Sequence, residues 1–155
     1  MAATLAAAAL AGAAPARADE ATHAGPPAAK AGLDLSGHKR TGKASFYARR
    51  FFGRTMADGT PMDPAEDNAA SRTLPLGTRA RVTNLETGQS AVVTIQDRGP
   101  YVKGRIVDLS PSTASKIGLS PTEGVAPVEV APLAVPQPDG SVKPGAAAVE
   151  SAPAR

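Results

Sequence analysis

Cysteine is absent from the chain. Disulfides, thiolate nucleophiles and Cys-based metal sites are therefore excluded, and no lipid-bearing cysteine is expected. Histidine is scarce. His23 and His38 are the only two, and both precede the stretch that reads as folded. A Ser–His pair or a histidine-ligated metal within that stretch is excluded, and no cofactor or metal is expected. Tryptophan is missing too, and Phe46, Tyr47, Phe51, Phe52 and Tyr101 are the only aromatic residues, so stacking surfaces are few. No apolar run approaches the ~20 residues that a membrane-crossing helix needs, and no stable membrane insertion is expected. Chemistry in the core must come from a carboxylate, a lysine, a tyrosine or a hydroxyl without a histidine base.

The net charge of +3 over 155 residues is mildly basic and suits an acidic partner. The charges are scattered rather than gathered into a stripe, so no nucleic-acid partner is expected. Residues 1–18 are nearly all Ala and Leu and end Ala16-Arg17-Ala18. An apolar run closed by an A-x-A pattern reads as a secretory signal peptide, which directs the chain across the inner membrane to the periplasm or cell envelope as a soluble, monomeric protein. Residues 19–41, rich in Ala, Gly, Pro and charge, read as a flexible linker. Residues 134–155, again Pro, Ala, Gly and Ser, read as a disordered tail that buries too little apolar surface to fold. The domain is thus expected over residues 42–133, roughly 90 residues, enough to fold alone as one closed unit.

Inside that span the pattern is mainly β. Ala44–Tyr47 reads as a short strand. Arg79–Asn84 alternates charged and apolar residues at period two. Glu86-Thr87-Gly88 is a hairpin turn, and Ser90–Asp97, rich in Val, Ile and Thr, is the returning strand. Arg105–Leu109 and Val125–Leu133 follow, the latter with two prolines that suggest an edge or a bulge. Two short helices are expected: one over Asp63-Pro64-Ala65-Glu66, with a cap, an early Pro and a Glu, and one from Ser110-Pro111 to Ile117, ended by Gly118. Each is followed by a Leu- and Pro-containing loop, a Gly and a strand, a faint internal repeat of the kind a pseudo-symmetric barrel displays.

The most telling stretch is Thr94-Ile95-Gln96-Asp97-Arg98-Gly99-Pro100-Tyr101, followed by Arg105-Ile106-Val107-Asp108-Leu109-Ser110. A strand runs into a turn, because Gly permits unusual backbone angles and Pro has no N–H for the ladder. Asp97, its last residue, stands at the mouth of a small barrel, well placed for acid chemistry on a bound ligand. Asp could instead cap the turn with its side chain. Asp108, beside the helix cap Ser110, reads as a hydrogen-bonding group that holds the strand-to-helix turn.

Gly42-Lys-Ala-Ser-Phe-Tyr47, Thr55-Met-Ala-Asp-Gly59, Thr73-Leu-Pro-Leu-Gly-Thr78, Val82-Thr-Asn84, Gly88, Asp97-Arg-Gly-Pro100 and Arg105-Ile-Val-Asp-Leu-Ser110 resemble, in order and spacing, the rare lipoprotein A family. The resemblance implies an all-β fold, a six-stranded double-psi β-barrel shared with expansins, barwin-like proteins and one class of membrane-bound lytic transglycosylases. It also implies lytic transglycosylation of peptidoglycan strands stripped of stem peptides. Two positions depart from the family pattern. Thr60 stands where the family has Glu, and Ser71 where it has His. Of the three functional polar residues only Asp97 remains.

These readings make Asp97 the acid and base, with Thr60, Ser71, Arg72, Arg98, Tyr47 and Tyr101 as residues that bind the glycan. Arg49, Arg50, Arg54, Lys103 and Arg105 add to the basic cast of the core, of which two or three arginines are expected to line the groove and meet lactyl carboxylates. The alternative is a non-catalytic, expansin-like module that grips the same glycan without cutting it.

Overall fold

The computed structural model describes residues 32–151, so the expected signal peptide and most of the expected linker lie outside the described residues. Seven strands and two short α-helices make up the described part: β1 (Arg40–Phe46), β2 (Asn68–Ala70), β3 (Arg79–Asn84), β4 (Ser90–Asp97), β5 (Arg105–Leu109), α1 (Pro111–Lys116), β6 (Val125–Pro136), β7 (Val142–Pro144) and α2 (Ala146–Ser151). The sheet order is β1-β5-β2-β4-β3-β6, and β6 also pairs with β1. Six strands therefore close into a barrel and leave no free edge in the ring. Two of the pairings are parallel, β1 with β5 and β2 with β4, while β2–β5, β3–β4, β3–β6 and β1–β6 are antiparallel. The all-β, six-stranded barrel that the family resemblance implies is the one observed.

Period-two patterning explains the ladder. On β3, Ala80, Val82 and Asn84 are buried while Arg79, Arg81 and Thr83 are not. On β4, Val93 and Ile95 point inward, and Val107 and Leu109 of β5 join them. With Val128 and Val130 of β6, Leu74, and Ile117 and Leu119 from the end of α1 and the loop after it, they form the core. The hydroxyl of Ser110 caps α1 by accepting from Thr113 N–H at 3.2 Å, with Pro111 at the first helical position, as expected from the sequence. Pro132 of β6 marks a bulge rather than an edge: the register against β3 slips between Pro132 and Ala134.

Three expectations are corrected. Residues 63–66 form a turn, not a helix. Asp63 Oδ1 accepts from Ala65 N–H and the Asp63 carbonyl accepts from Asn68 Nδ2, so the backbone is drawn straight into β2. The first half of the internal repeat therefore lacks its helix. The linker boundary at residue 41 is too late, because Arg40 and Thr41 already pair with Val130 and Glu129, and Asp34 N–H donates to Thr73 at 2.7 Å.

The third correction is the tail. Residues 134–151 are not disordered: β6 runs on to Pro136, β7 pairs back on it, and α2 seals the end with Ala147 fully buried. Composition misled because the anchoring group is a residue without a side chain. Gly145 lies so close to β6 that a Cβ there would sit 2.3 Å from the Pro132 carbonyl oxygen. Its neighbour Ala146 donates to Gly37 O at 2.9 Å, which joins the two ends of the described chain. Glu150 of α2 bridges Lys39 and Arg81, at 2.6 Å each, an exposed trio that adds little by itself.

The docked tail makes a stability test. Gly145→Ala is expected to cost roughly 1–3 kcal/mol through forced backbone movement, read as a lowered urea midpoint. Gly32→Ala, whose Cβ would meet nothing within 4 Å, is expected to leave the midpoint unchanged. Equal midpoints for both variants would mean that the tail is not packed in solution.

Candidate functional site

The ends of β1, β2, β4 and β5 converge on one patch of barrel wall. Ala70, the last residue of β2, pairs with Asp97 of β4 on one side and Asp108 of β5 on the other. The two aspartates thus stand level, two strands apart, with a buried alanine between them. Neighbouring strands lie ~4.8 Å apart, so the backbones that carry the two aspartates are roughly 10 Å apart. Side chains on this patch, with Tyr47, Ala48, Arg50, Phe51 and the segment 98–102, wall an open cleft of about 400 Å³. The Gly99–Pro100 peptide is cis and Gly99 has φ 125°, a conformation that other residues rarely adopt.

Asp97 is half-buried on this cleft. Its Oδ2 accepts from the Tyr47 hydroxyl at 2.9 Å, and its Oδ1 accepts from the N–H groups of Ala57 at 3.0 Å and Arg98 at 2.9 Å. Among the described residues it forms no ion pair. Arg98 is next in sequence, yet its guanidinium turns away and donates to the carbonyls of Ser71 at 3.0 Å and Leu74 at 2.7 Å. Successive strand side chains face opposite ways, and that alternation leaves the carboxylate without a guanidinium clamp. The capping of the Arg-Gly-Pro turn also occurs, through the Arg98 N–H.

Tyr47 is 7% exposed. Burial, then the Asp97 charge and hydrogen bond, push its phenol far above the ordinary value of 10. The proton therefore stays on Tyr47, which acts as a fixed donor to Asp97. The ring rests on Met56, Met62 and Ala70 in a second, smaller apolar cluster, with Phe51 edge-on at 6.1 Å and 71°.

The other expected site residues divide. Tyr101, 53% exposed, stands at the cleft's rim. Thr60 lies on the exposed loop that also carries Ala57. Its hydroxyl donates to Asp58 at 2.6 Å, and Asp58 in turn accepts from Gln96 at 2.9 Å. Ser71 is 4% exposed, and its hydroxyl accepts from the N–H groups of Thr73 and Leu74, which caps the turn after β2. Arg72 lines a separate small cavity of about 50 Å³ with His38 and Arg40. Thr60, Ser71 and Arg72 thus do not line the Asp97 cleft.

Asp108 and Arg105 do line it. Asp108 Oδ1 accepts from Arg105 at 3.0 Å and from the Ser45 hydroxyl, so Asp108 ties β5 to β1 across the cleft floor rather than holding the turn to α1. Sequence reading assigns Asp108 a hydrogen-bonding role at the turn to α1; its place opposite Ala70 is visible only once β2 is recognised.

The raised phenol of Tyr47 has a pH consequence. A group whose acid dissociation is suppressed by folding contributes stability that is present below its unfolded value, near 10, and is lost as pH rises above it. The urea midpoint is therefore expected to fall between about pH 9 and about pH 11, and to fall less in Tyr47→Phe. An equal alkaline loss in both proteins would contradict the buried Tyr47–Asp97 bond.

Comparison with known proteins gives the lineage. The family model described as lytic transglycolase matches residues 38–130. The probable endolytic peptidoglycan transglycosylase RlpA of a Nostoc species is 50% identical over 91 residues, 57% of this chain and 24% of that protein. The endolytic peptidoglycan transglycosylase RlpA of Pseudomonas aeruginosa is 36% identical over 132 residues, 76% of this chain and 39% of that protein. Its Pasteurella multocida counterpart is 48% identical over 86 residues, 56% and 29%. The chain spans between a quarter and two-fifths of the length of these relatives. With the closed six-stranded barrel and Asp97 at the end of β4, these matches mean that the chain belongs to the RlpA-like, double-psi β-barrel family of lytic transglycosylases.

Proposed function

We propose that the protein is an endolytic peptidoglycan lytic transglycosylase that cuts peptide-poor glycan strands and leaves 1,6-anhydromuramic ends, with Asp97 as its acid and base. One observation carries this reading: a carboxylate fixed by three donors, without a counter-cation, on an open cleft of about 400 Å³. Among the described residues Oδ2 accepts only the Tyr47 hydroxyl, which leaves its second lone pair for a mobile proton. In the protonated form Asp97 gives that proton to the glycosidic oxygen as the C1–O bond breaks. The resulting carboxylate takes the proton of the sugar's own 6-hydroxyl, whose oxygen bonds C1. No water is added, and the nucleophile belongs to the substrate.

This economy suits a site with Thr60 and Ser71 in place of Glu and His. Hydrolases with two catalytic carboxyls need them at set separations, whereas one carboxyl that alternates between acid and base suffices here. Tyr47 acts as positioning residue, because its retained proton fixes Oδ2. Tyr101 offers an exposed ring face at the rim for a sugar. Residues 1–18 support export, so we place the protein at the periplasm or cell envelope, acting as a monomer on wall glycan.

A second reading, a module that grips glycan without cutting, draws on Thr60 and Ser71, whose hydroxyls are spent within their own loops. Mass spectrometry of peptide-free glycan strands after incubation separates the two. The expected result is 1,6-anhydro ends with the native protein and a rate roughly 10²–10⁴-fold lower with Asp97→Asn, which still binds the strands. Binding by the native protein without such ends would establish the non-cutting module, and undiminished cleavage by Asp97→Asn would displace Asp97 from its role.

A further inference from the structure

Three arginines line the cleft beside Asp97: Arg50, Arg98 and Arg105. Two are already engaged. Arg98 is held by two carbonyl oxygens, and Arg105 neutralises Asp108. Arg50, among the described residues, has neither a carboxylate nor a carbonyl partner. It is nevertheless placed. Its guanidinium carbon lies 4.9 Å from the centroid of the Phe51 ring, that ring meets Tyr47 edge-on, and Tyr47 donates to Asp97. The solvent-exposed guanidinium thus rests on the same pair of packed rings that reaches Asp97.

A guanidinium that rests on an aromatic face keeps its edge of N–H donors free, and that edge matches a carboxylate with two parallel hydrogen bonds. The charge balance of the cleft points the same way. Asp108 is offset by Arg105, so the cleft presents one carboxylate, Asp97, and one unengaged cation, Arg50. A neutral sugar chain would leave that cation without a partner, whereas a chain with an acid group on its rings supplies one.

We propose that Arg50 is the specificity residue of the cleft and receives a carboxylate carried on a sugar ring, so that acidic glycan is selected over neutral glycan. In peptide-free wall glycan that group is the lactyl carboxylate of every second sugar. The inference rests on the reading of the cleft as a glycan site and adds to it the residue and the chemical group that it selects.

The test uses the full chain and two probes: peptide-free glycan strands, and the same strands with their lactyl carboxylates converted to methylamides. Native protein is expected to bind the acidic strands about tenfold more tightly than the amidated ones, with the difference shrinking as salt rises. Arg50→Gln is expected to bind both strands equally, near the level of the amidated strand. Arg49→Gln, a neighbouring exposed arginine outside the cleft wall, is expected to keep the native preference. Equal binding of both strands by the native protein, or a preference that survives in Arg50→Gln, would overturn the role of Arg50 while leaving the glycan cleft intact. Binding of neither strand would overturn the cleft reading and this inference with it.

Discussion

Everything at the site depends on how one carboxylate is held. Asp97 ends β4 and receives three hydrogen bonds from three parts of the chain: the Tyr47 hydroxyl just past β1, the Ala57 N–H on the following loop, and the N–H of Arg98. The barrel brings these together because β1, β5, β2 and β4 are adjacent in that order. Ala70, at the centre of this arrangement, has almost no side chain. That smallness lets the cleft floor sink between Asp97 and Asp108. A larger residue there would fill the space that a sugar is proposed to occupy.

Cations around the site are arranged by a single principle: each is given a task that keeps it off Asp97. Arg98 serves two backbone carbonyls, Arg105 serves Asp108 and Ser45, and Arg50 stacks on Phe51. A guanidinium on Asp97 itself would stabilise its charged form and hinder the release and recapture of a proton. Thr60 and Ser71 fit the same economy. Their hydroxyls close an Asx-type turn and cap a loop, which brings no further titratable group to the carboxylate.

Much of this architecture was legible in the residues, and the exceptions have physical reasons. The bounds of β3, β4 and β5 follow from alternation or β-branched content and match the observed strands. β2 was invisible because Asn68-Ala69-Ala70 has no strand preference of its own; its conformation is imposed by partners on both sides. Residues 63–66 carry genuine helix-start signals, but the Asp67 carbonyl already accepts from Thr94 N–H, and four residues cannot complete a helix before that pairing begins. In the tail, compositional reasoning counted side-chain surface and so missed a glycine whose contact is made by backbone alone. Asp97 could be read at the strand end, yet its partner Tyr47 lies 50 residues away, a distance no local pattern bridges. The commitment of Arg98 to carbonyls, and the freedom of Arg50, likewise exist only in three dimensions.

The central claim is that one carboxyl group, passing a proton out and back, completes the reaction with the sugar's own hydroxyl as nucleophile. The most direct measurement is digestion of peptide-free glycan in water enriched in oxygen-18, followed by mass analysis of the new ends. The account predicts ends that carry no heavy oxygen and lack the mass of one water. Heavy oxygen at the new reducing ends would show that solvent is the nucleophile and would contradict it.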